Sequence, residues 1–297
     1  MSAAGLASPQ LKHVQCLRPN GGLANMAYWE WPCANGAADA PVLVCVHGLS
    51  RQGRDFDTLA RALSAQYRVV CPDVLGRGES DWLADPSGYQ IPFYVADMVT
   101  LVARLDVTRV DWVGTSMGGL IGLGLAALPH SPVRRLVLND VGPVLEFDAL
   151  QRIGTYLGRP LRFASEAEAA QYMASISAGF GPHTDAQWAA LSAPMLRRDG
   201  DSWCLHYDPK IAVPFAAITP ALATAGEQAL WAAWDALRGP VLLLRGAESD
   251  LLSSATARAM TERGPRARLH EIAGVGHAPT LVQPEQIAVV REFLLAE

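Results

Sequence analysis

Short, unbroken apolar runs punctuate this chain, and between them apolar residues recur at helical spacing. Val42–Val46, Tyr67–Cys71, Val110–Val113, Arg135–Leu138, Val241–Leu244 and Arg268–Ile272 are runs too short for helices. Strands buried on both faces look like this, because neither face has to be polar. Between them, Asp55–Ala65 places Phe56, Leu59, Ala60 and Leu63 on one helical face. Tyr94–Leu105, Met117–Leu128, Ser254–Arg263 and Gln286–Leu295 follow the same spacing, and Pro284 stands where a helix start tolerates proline. Ahead of the first run, His13–Leu17 and Leu23–Trp31 read as two edge strands.

Alternation of this kind predicts an α/β fold: a mostly parallel twisted sheet with helices on both faces. The rhythm breaks between about Gly142 and Ala225, where Glu146–Leu157, Ser165–Ser177 and Thr184–Arg197 show helical patches and strand signals are few. The expected organisation is a core formed by residues 1–141 and 226–297, with residues 142–225 inserted as a helical cap. An insertion leaving the carboxyl end of a parallel strand lies over the place where open α/β sheets bind ligands.

Composition narrows the function. Half of the 297 residues are hydrophobic, the net charge is −5 and the pI is about 5.8, which excludes a basic nucleic-acid-binding surface. The longest apolar run, about Gly118 to Leu128, is short of the ~20 residues of a membrane span. The opening MSAAGLASPQLK lacks the basic and apolar blocks of a targeting segment. Cys16, Cys33, Cys45, Cys71 and Cys204 form no C-x-x-C pair and are odd in number, so they imply neither a disulfide framework nor a zinc site. A soluble cytoplasmic protein is expected, a monomer or homodimer acting on a small molecule, with no nucleic-acid or membrane partner. Lysine is confined to Lys12 and Lys210, which limits lysine-dependent chemistry.

The chemistry gathers at the ends of the apolar runs. Gly114-Thr-Ser116-Met-Gly118 lies between a predicted strand and a predicted helix. A strand-to-helix turn this tight needs small flanking residues and presents the serine hydroxyl at a helix N-terminus, where the amide of Met117 is free to meet an anion. A serine hydroxyl needs a base to become a nucleophile. His277, in the loop after the last strand, is the best placed of the seven histidines. The base needs an acid to fix its tautomer. Asp250, past Val241–Leu244, is the expected acid, and Asp140, just past Arg135–Leu138, is its main rival, with Glu248 third. The second oxyanion donor is expected from the amide of Leu49, in His47-Gly48-Leu49-Ser50, where His47 serves the turn rather than proton transfer. Arg51 and Arg54 follow this loop and are read as solvated surface residues, with receipt of a substrate carboxylate as the other role open to them.

With His47-Gly48, Asp73-Val-Leu-Gly76-Arg-Gly78-Glu-Ser80, Gly114–Gly119, Gly246–Asp250 and Gly274–His277 in this order, nearly the whole chain resembles the α/β-hydrolase superfamily. Leu138-Asn-Asp140-Val-Gly-Pro143 is similar to a bacterial subgroup of esterases and enol-lactonases. The resemblance implies a serine hydrolase that cleaves a small carboxylic ester or lactone through an acyl-enzyme, without metal or cofactor. It assigns the Asp73–Ser80 segment a structural role. Members with an aspartate at the position of Ser116 cleave carbon–halogen bonds or epoxides, and the serine here argues against both. Carbon–carbon bond hydrolases of ring-cleavage diketones and non-hydrolytic ligand sensors share the fold and stand as alternatives. Tyr156, Phe163, Tyr172, Phe180, Trp188, Trp203, Tyr207 and Phe215 are expected mostly to pack the cap on the core, leaving a partly apolar substrate pocket.

Overall fold

The computed structural model describes residues 8–296 apart from 20 and 38; residues 1–7, part of the stretch read above for a targeting segment, lie outside them. The chain runs β1 (Gln10–Leu17), β2 (Leu23–Trp31), β3 (Val42–Val46), α1 (Asp57–Leu63), β4 (Arg68–Pro72), α2 (Ile91–Arg104), β5 (Val110–Thr115), α3 (Met117–Ala126) and β6 (Val133–Asn139). The inserted segment carries α4 (Phe147–Gly154), β7 (Arg162–Phe163), α5 (Glu166–Ile176), α6 (Asp185–Ser192), β8 (Leu196–Asp199), β9 (Ser202–Leu205), α7 (Ala212–Ala216) and α8 (Pro220–Ala236). The core resumes with β10 (Val241–Gly246), α9 (Ser254–Glu262), β11 (Arg268–Ile272) and α10 (Pro284–Leu295).

Eight strands form one sheet in the order β1-β2-β4-β3-β5-β6-β10-β11. The β1–β2 and β2–β4 pairs are antiparallel, and β4 through β11 run parallel. All five residues of β3 are buried. Because successive side chains point to opposite faces, Val42, Val44 and Val46 join Met98 and Leu101 of α2 and Ile121 and Leu125 of α3. Leu43 and Cys45 join Leu59 and Leu63 of α1 and Val290 and Phe293 of α10 on the other face. Burying each such side chain contributes ~1.5–3 kcal/mol. The outcome is a rigid platform on which every loop at the carboxyl ends of β3, β5, β6, β10 and β11 is held in register.

The inserted segment departs from its expected pattern in three ways. The helix expected over Thr184–Arg197 ends at Ser192: Thr184 caps it through a reciprocal bond with Gln187, and Pro194 closes it in a 3-10 turn. The following Leu196 enters β8, which pairs with β9 and through it with β7 in a small antiparallel sheet. Its hairpin turns at Gly200, whose φ of +63° suits glycine. Finally, α8 is continuous across the expected boundary between residues 225 and 226, and its Trp234 is fully buried in the core. The segment is tied down where Tyr207 bridges Arg77 and where the amide of Asp208 donates to the carbonyl of Gly76 at 2.7 Å.

Candidate active site

Ser116 sits one residue past β5, with φ +52° and ψ −116°. A non-glycine residue rarely adopts this conformation, and doing so costs of order 1–3 kcal/mol. The strain is sustained because the turn has no room to relax. A Cβ on Gly118 would lie 2.0 Å from the carbonyl oxygen of Val46, so α3 packs against the end of β3 only through a glycine. The amide of Ser116 donates to the carbonyl of Asn139 at 3.0 Å, which extends the β5–β6 ladder by one residue.

The structure brings His277 to Ser116. Its Nε2 lies 3.0 Å from the serine Oγ, and its Nδ1 lies 2.7 Å from a carboxylate oxygen, Oδ2 of Asp140. That carboxylate can only accept, so Nδ1 carries the proton and Nε2 presents a lone pair to the hydroxyl. The acid expected at this position, Asp250, is not there. Asp250 makes a two-pronged pair with Arg152 of α4, at 2.7 and 3.0 Å, and its side chain is 47% exposed.

Register explains the correction. Thr115 of β5 and Leu244 of β10 both pair with Asn139 of β6, so Asp140 stands level with Ser116 at the sheet rim. Beyond β10 the chain folds back, with the amide of Ser249 donating to the carbonyl of Gly246 at 2.9 Å, and Asp250 leaves toward solvent. The loop after β10 nevertheless serves Asp140. The Gly246 amide donates to Oδ1 at 2.8 Å and the Ser249 hydroxyl to Oδ2 at 2.6 Å. Asp140 is fully buried, and these bonds and the one from His277 satisfy both of its oxygens. Gly246 also admits the histidine loop, since a Cβ there would lie 2.2 Å from the carbonyl oxygen of Gly276.

Sequence reasoning missed Ser249 and Asn139. The Asn139 side-chain amide donates to Thr115 Oγ1 at 2.9 Å and to the carbonyl of Pro279 at 2.7 Å, which pins the histidine loop to β5. Nothing in the one-dimensional pattern marks their partners.

Leu49 and Met117 line the same cavity as Ser116. Met117 opens α3, so its amide has no acceptor within the helix. Gly48 packs against Ser116: a Cβ on it would lie 3.7 Å from Ser116 Cβ. His47 holds this loop. Its Nε2 accepts from the Val74 amide at 2.9 Å, so its Nδ1–H donates to the Gly48 carbonyl at 2.7 Å. Burial pushes its pKa down to about 3, which keeps the ring neutral at ordinary pH. Asp73, in the segment assigned a structural role, accepts from the amides of Gly53 and Glu79 and from Trp29 Nε1, and burial raises its pKa to about 7.

The cavity over Ser116 measures about 790 Å³ and lies between the rim and the inserted segment. Its walls are largely hydrocarbon, from Leu120, Val141 and Leu251 of the core and Leu150, Ile153 and Phe215 of the insertion. Of the eight aromatic residues considered for this pocket, Phe215 lines it. Phe163 packs on Tyr172 with centroids 5.4 Å apart, and Phe180 stacks on Trp188. Arg51 and Arg54 are paired rather than freely solvated. Arg51 binds Asp55 and the carbonyl of Leu191, and Arg54 binds Asp57 and lies over Trp29. Among the described residues no cluster of three or more His, Cys, Asp or Glu side chains could hold a metal ion, and no helix is long and apolar enough to cross a membrane.

Comparison with known proteins agrees with this architecture. Residues 43–290 match the pattern of the alpha/beta hydrolase family. A 3-hydroxybutyrate-oligomer hydrolase of Cupriavidus necator is 57% identical over 291 residues, covering 97% of this chain and 98% of that protein. An esterase of Mycobacterium tuberculosis is 28% identical over 267 residues, covering 86% and 83% of the two chains. The crystal structure of an alpha/beta hydrolase from Novosphingobium aromaticivorans superposes with a TM-score of 0.84 at 34% identity, over 98% of this chain and 99% of that one. The chain therefore belongs to the alpha/beta hydrolase family.

Proposed function

We propose that this protein is a serine esterase whose nucleophile, base and acid are Ser116, His277 and Asp140, and that the segment between β6 and β10, expected as residues 142–225 and extended by the rest of α8, acts as the cap over its substrate. The observation that carries this reading is the unbroken path from the buried Asp140 carboxylate through His277 to the Ser116 hydroxyl, at 2.7 and 3.0 Å, opening into an apolar cavity. Ser116 Oγ attacks the ester carbonyl carbon as its proton passes to His277 Nε2. The carbonyl electron pair moves onto oxygen, where the amides of Leu49 and Met117 receive it. The tetrahedral adduct collapses, and the departing alkoxide takes the proton from Nε2 and leaves as an alcohol. Water then attacks the acyl-serine, giving its proton to His277. A second collapse releases the carboxylic acid and returns the proton to Ser116. Asp140 holds the imidazole tautomer throughout and balances the imidazolium charge.

The cavity suits a small substrate with short apolar branches. The relationship to a 3-hydroxybutyrate-oligomer hydrolase supports short oligoesters of a 3-hydroxy acid as the substrate class. All five cysteines are free, three of them buried, which supports a reducing compartment such as the cytoplasm. The test is hydrolysis of p-nitrophenyl butyrate and of 3-hydroxybutyrate dimer by the parent and by Ser116→Ala. Activity is expected to fall by about 10⁵-fold with the fold intact. A Ser116→Ala protein that hydrolyses these esters at the parent rate overturns the reading.

A further inference from the structure

Arg77 is among the most deeply buried large side chains of the protein, at 1% exposure, and no carboxylate among the described residues is in ion-pair contact with it. Other buried or half-buried arginines behave differently: Arg18 pairs with Asp97, Arg51 with Asp55 and Arg245 with Glu271. A buried cation without a counter-ion is costly, so its contacts indicate what it is kept for. Its Nε donates to the carbonyl of Leu49 at 2.8 Å. Its Nη1 donates to the carbonyl of Leu75 and to the Tyr94 hydroxyl, both at 2.7 Å. Its Nη2 rests against Met117 Sδ at 3.6 Å, and the guanidinium lies near the rings of Tyr89 and Tyr94. The backbone is fixed too, by the Arg77 amide on Val74 and by the bridge to Tyr207.

One rigid, planar group thus touches both residues proposed as oxyanion donors. We propose that Arg77 is a positioning residue that locks Leu49 and Met117 into a preformed oxyanion site and balances the negative charge that appears there. This rests on the esterase reading above.

The charges around the site support it. In the resting state the rim holds Asp140 as an anion and Arg77 as a cation. In the tetrahedral state His277 becomes cationic and the substrate oxygen anionic, so the sum does not change. The other groups facing the guanidinium do not alter this count. His47 is kept neutral by burial, the hydroxyls of Tyr89 and Tyr94 are held protonated by burial, and the Asp208 carboxylate lies behind Tyr89, bonded by its hydroxyl at 2.6 Å, and exchanges no proton in either state. The developing oxyanion supplies Arg77 with a counter-charge beside Leu49 and Met117, where its direct partners are carbonyls, a hydroxyl and a thioether. Lysine keeps the charge but lacks the planar fork that reaches Leu49 and Met117 together.

The experiment compares Arg77→Met and Arg77→Lys with the parent on p-nitrophenyl butyrate. Active sites are counted by complete labelling with a fluorophosphonate, and affinity for the tetrahedral state is read with a trifluoromethyl ketone. For Arg77→Met, kcat per labelled site is expected to fall about 100-fold while KM stays within about 3-fold, and the ketone Ki rises in proportion to the lost kcat. Arg77→Lys should recover part of the loss, to about 10-fold below the parent. A merely structural arginine lowers the labelled fraction or the melting temperature and leaves kcat per site and the ketone Ki unchanged, which overturns the proposal. Should Arg77→Met fail to fold, Arg77→Lys decides alone, and a parental kcat per site and Ki reject the idea. The two readings fail separately. Parental activity in Ser116→Ala removes the esterase reading, whereas an inert Ser116→Ala beside fully active Arg77 variants removes only this inference.

Discussion

Two aspartates follow adjacent parallel strands, and their surroundings differ in almost every respect. Asp140 comes directly after β6, is fully buried, and accepts bonds from the Gly246 amide, the Ser249 hydroxyl and His277. Asp250 comes four residues after β10, is half exposed, and pairs with Arg152 on the surface of the inserted segment. The contrast separates two things that sequence order merges. Either residue satisfies the chain order serine, aspartate, histidine. Only the residue still carried by strand register stays at the rim, level with Ser116. The loop after β10 keeps a share in the site as a supplier of hydrogen-bond donors to Asp140.

The strongest way to break this comparison is to neutralise each aspartate in turn. In Asp140→Asn the side-chain amide can donate to Nδ1 and so favours the wrong imidazole tautomer. We expect kcat on p-nitrophenyl butyrate to fall by about 10³–10⁴-fold, ~4–5 kcal/mol of barrier, with KM little changed. Asp250→Asn should stay within about 2-fold of the parent, because it removes only a surface charge pair. Equal losses in both variants would mean that the two loops exchange roles during turnover, and the distinction drawn from register would collapse.

A smaller effect is expected at Ser249, whose hydroxyl bonds Asp140 and accepts from the amides of Leu251 and Leu252. Ser249→Ala leaves the Gly246 amide and His277 on Asp140, so the carboxylate stays in place with one donor fewer. We expect kcat to fall about 10-fold, ~1.4 kcal/mol, with little change in KM. The downfield Nδ1–H resonance of His277 should move in Ser249→Ala and remain in place in Asp250→Asn. A Ser249→Ala protein with parental kcat and resonance would show that the loop after β10 contributes no orientation to the acid.

How far the sequence reveals this depends on whether a feature is local. The strands of the core were legible because burial on both faces leaves a run of apolar residues, as in Val42–Val46. The tight turn at Ser116 was legible because it demands glycine two residues to either side, at Gly114 and Gly118. The small sheet in the insertion was less so. Leu196-Arg-Arg-Asp199 has little apolar alternation, although Asp199-Gly200 at its turn is the kind of pair that favours a hairpin. The choice between Asp140 and Asp250 was not local at all. It depends on the pairing of β6 with β5 and β10, a relation between residues distant in the chain. One clue was available: Asp140 follows its strand without a gap, whereas Asp250 is preceded by Ala247-Glu-Ser249, enough chain to turn away from the rim. Arg77 was invisible for the same reason, since its meaning lies in Leu49 and Met117.

The least effect is expected at the Asp250–Arg152 pair itself, and it sharpens the comparison from the surface side. Both side chains are between two-fifths and half exposed, and they join the loop after β10 to α4 of the insertion. Burial opposes the charge on Arg152, and the hydrogen bond to Asp250 with its negative charge outweighs it and raises the pKa. Exposed pairs of this kind contribute ~0.2–1 kcal/mol and are screened by salt. A double-mutant cycle with Asp250→Asn and Arg152→Gln, followed by urea unfolding, should give a coupling energy below about 1 kcal/mol that shrinks as ionic strength rises. Were the coupling several kcal/mol and insensitive to salt, the pair would be acting as a clamp between cap and core. In that case Asp250 would influence catalysis through the position of α4, whose Leu150 and Ile153 line the cavity, without ever approaching His277.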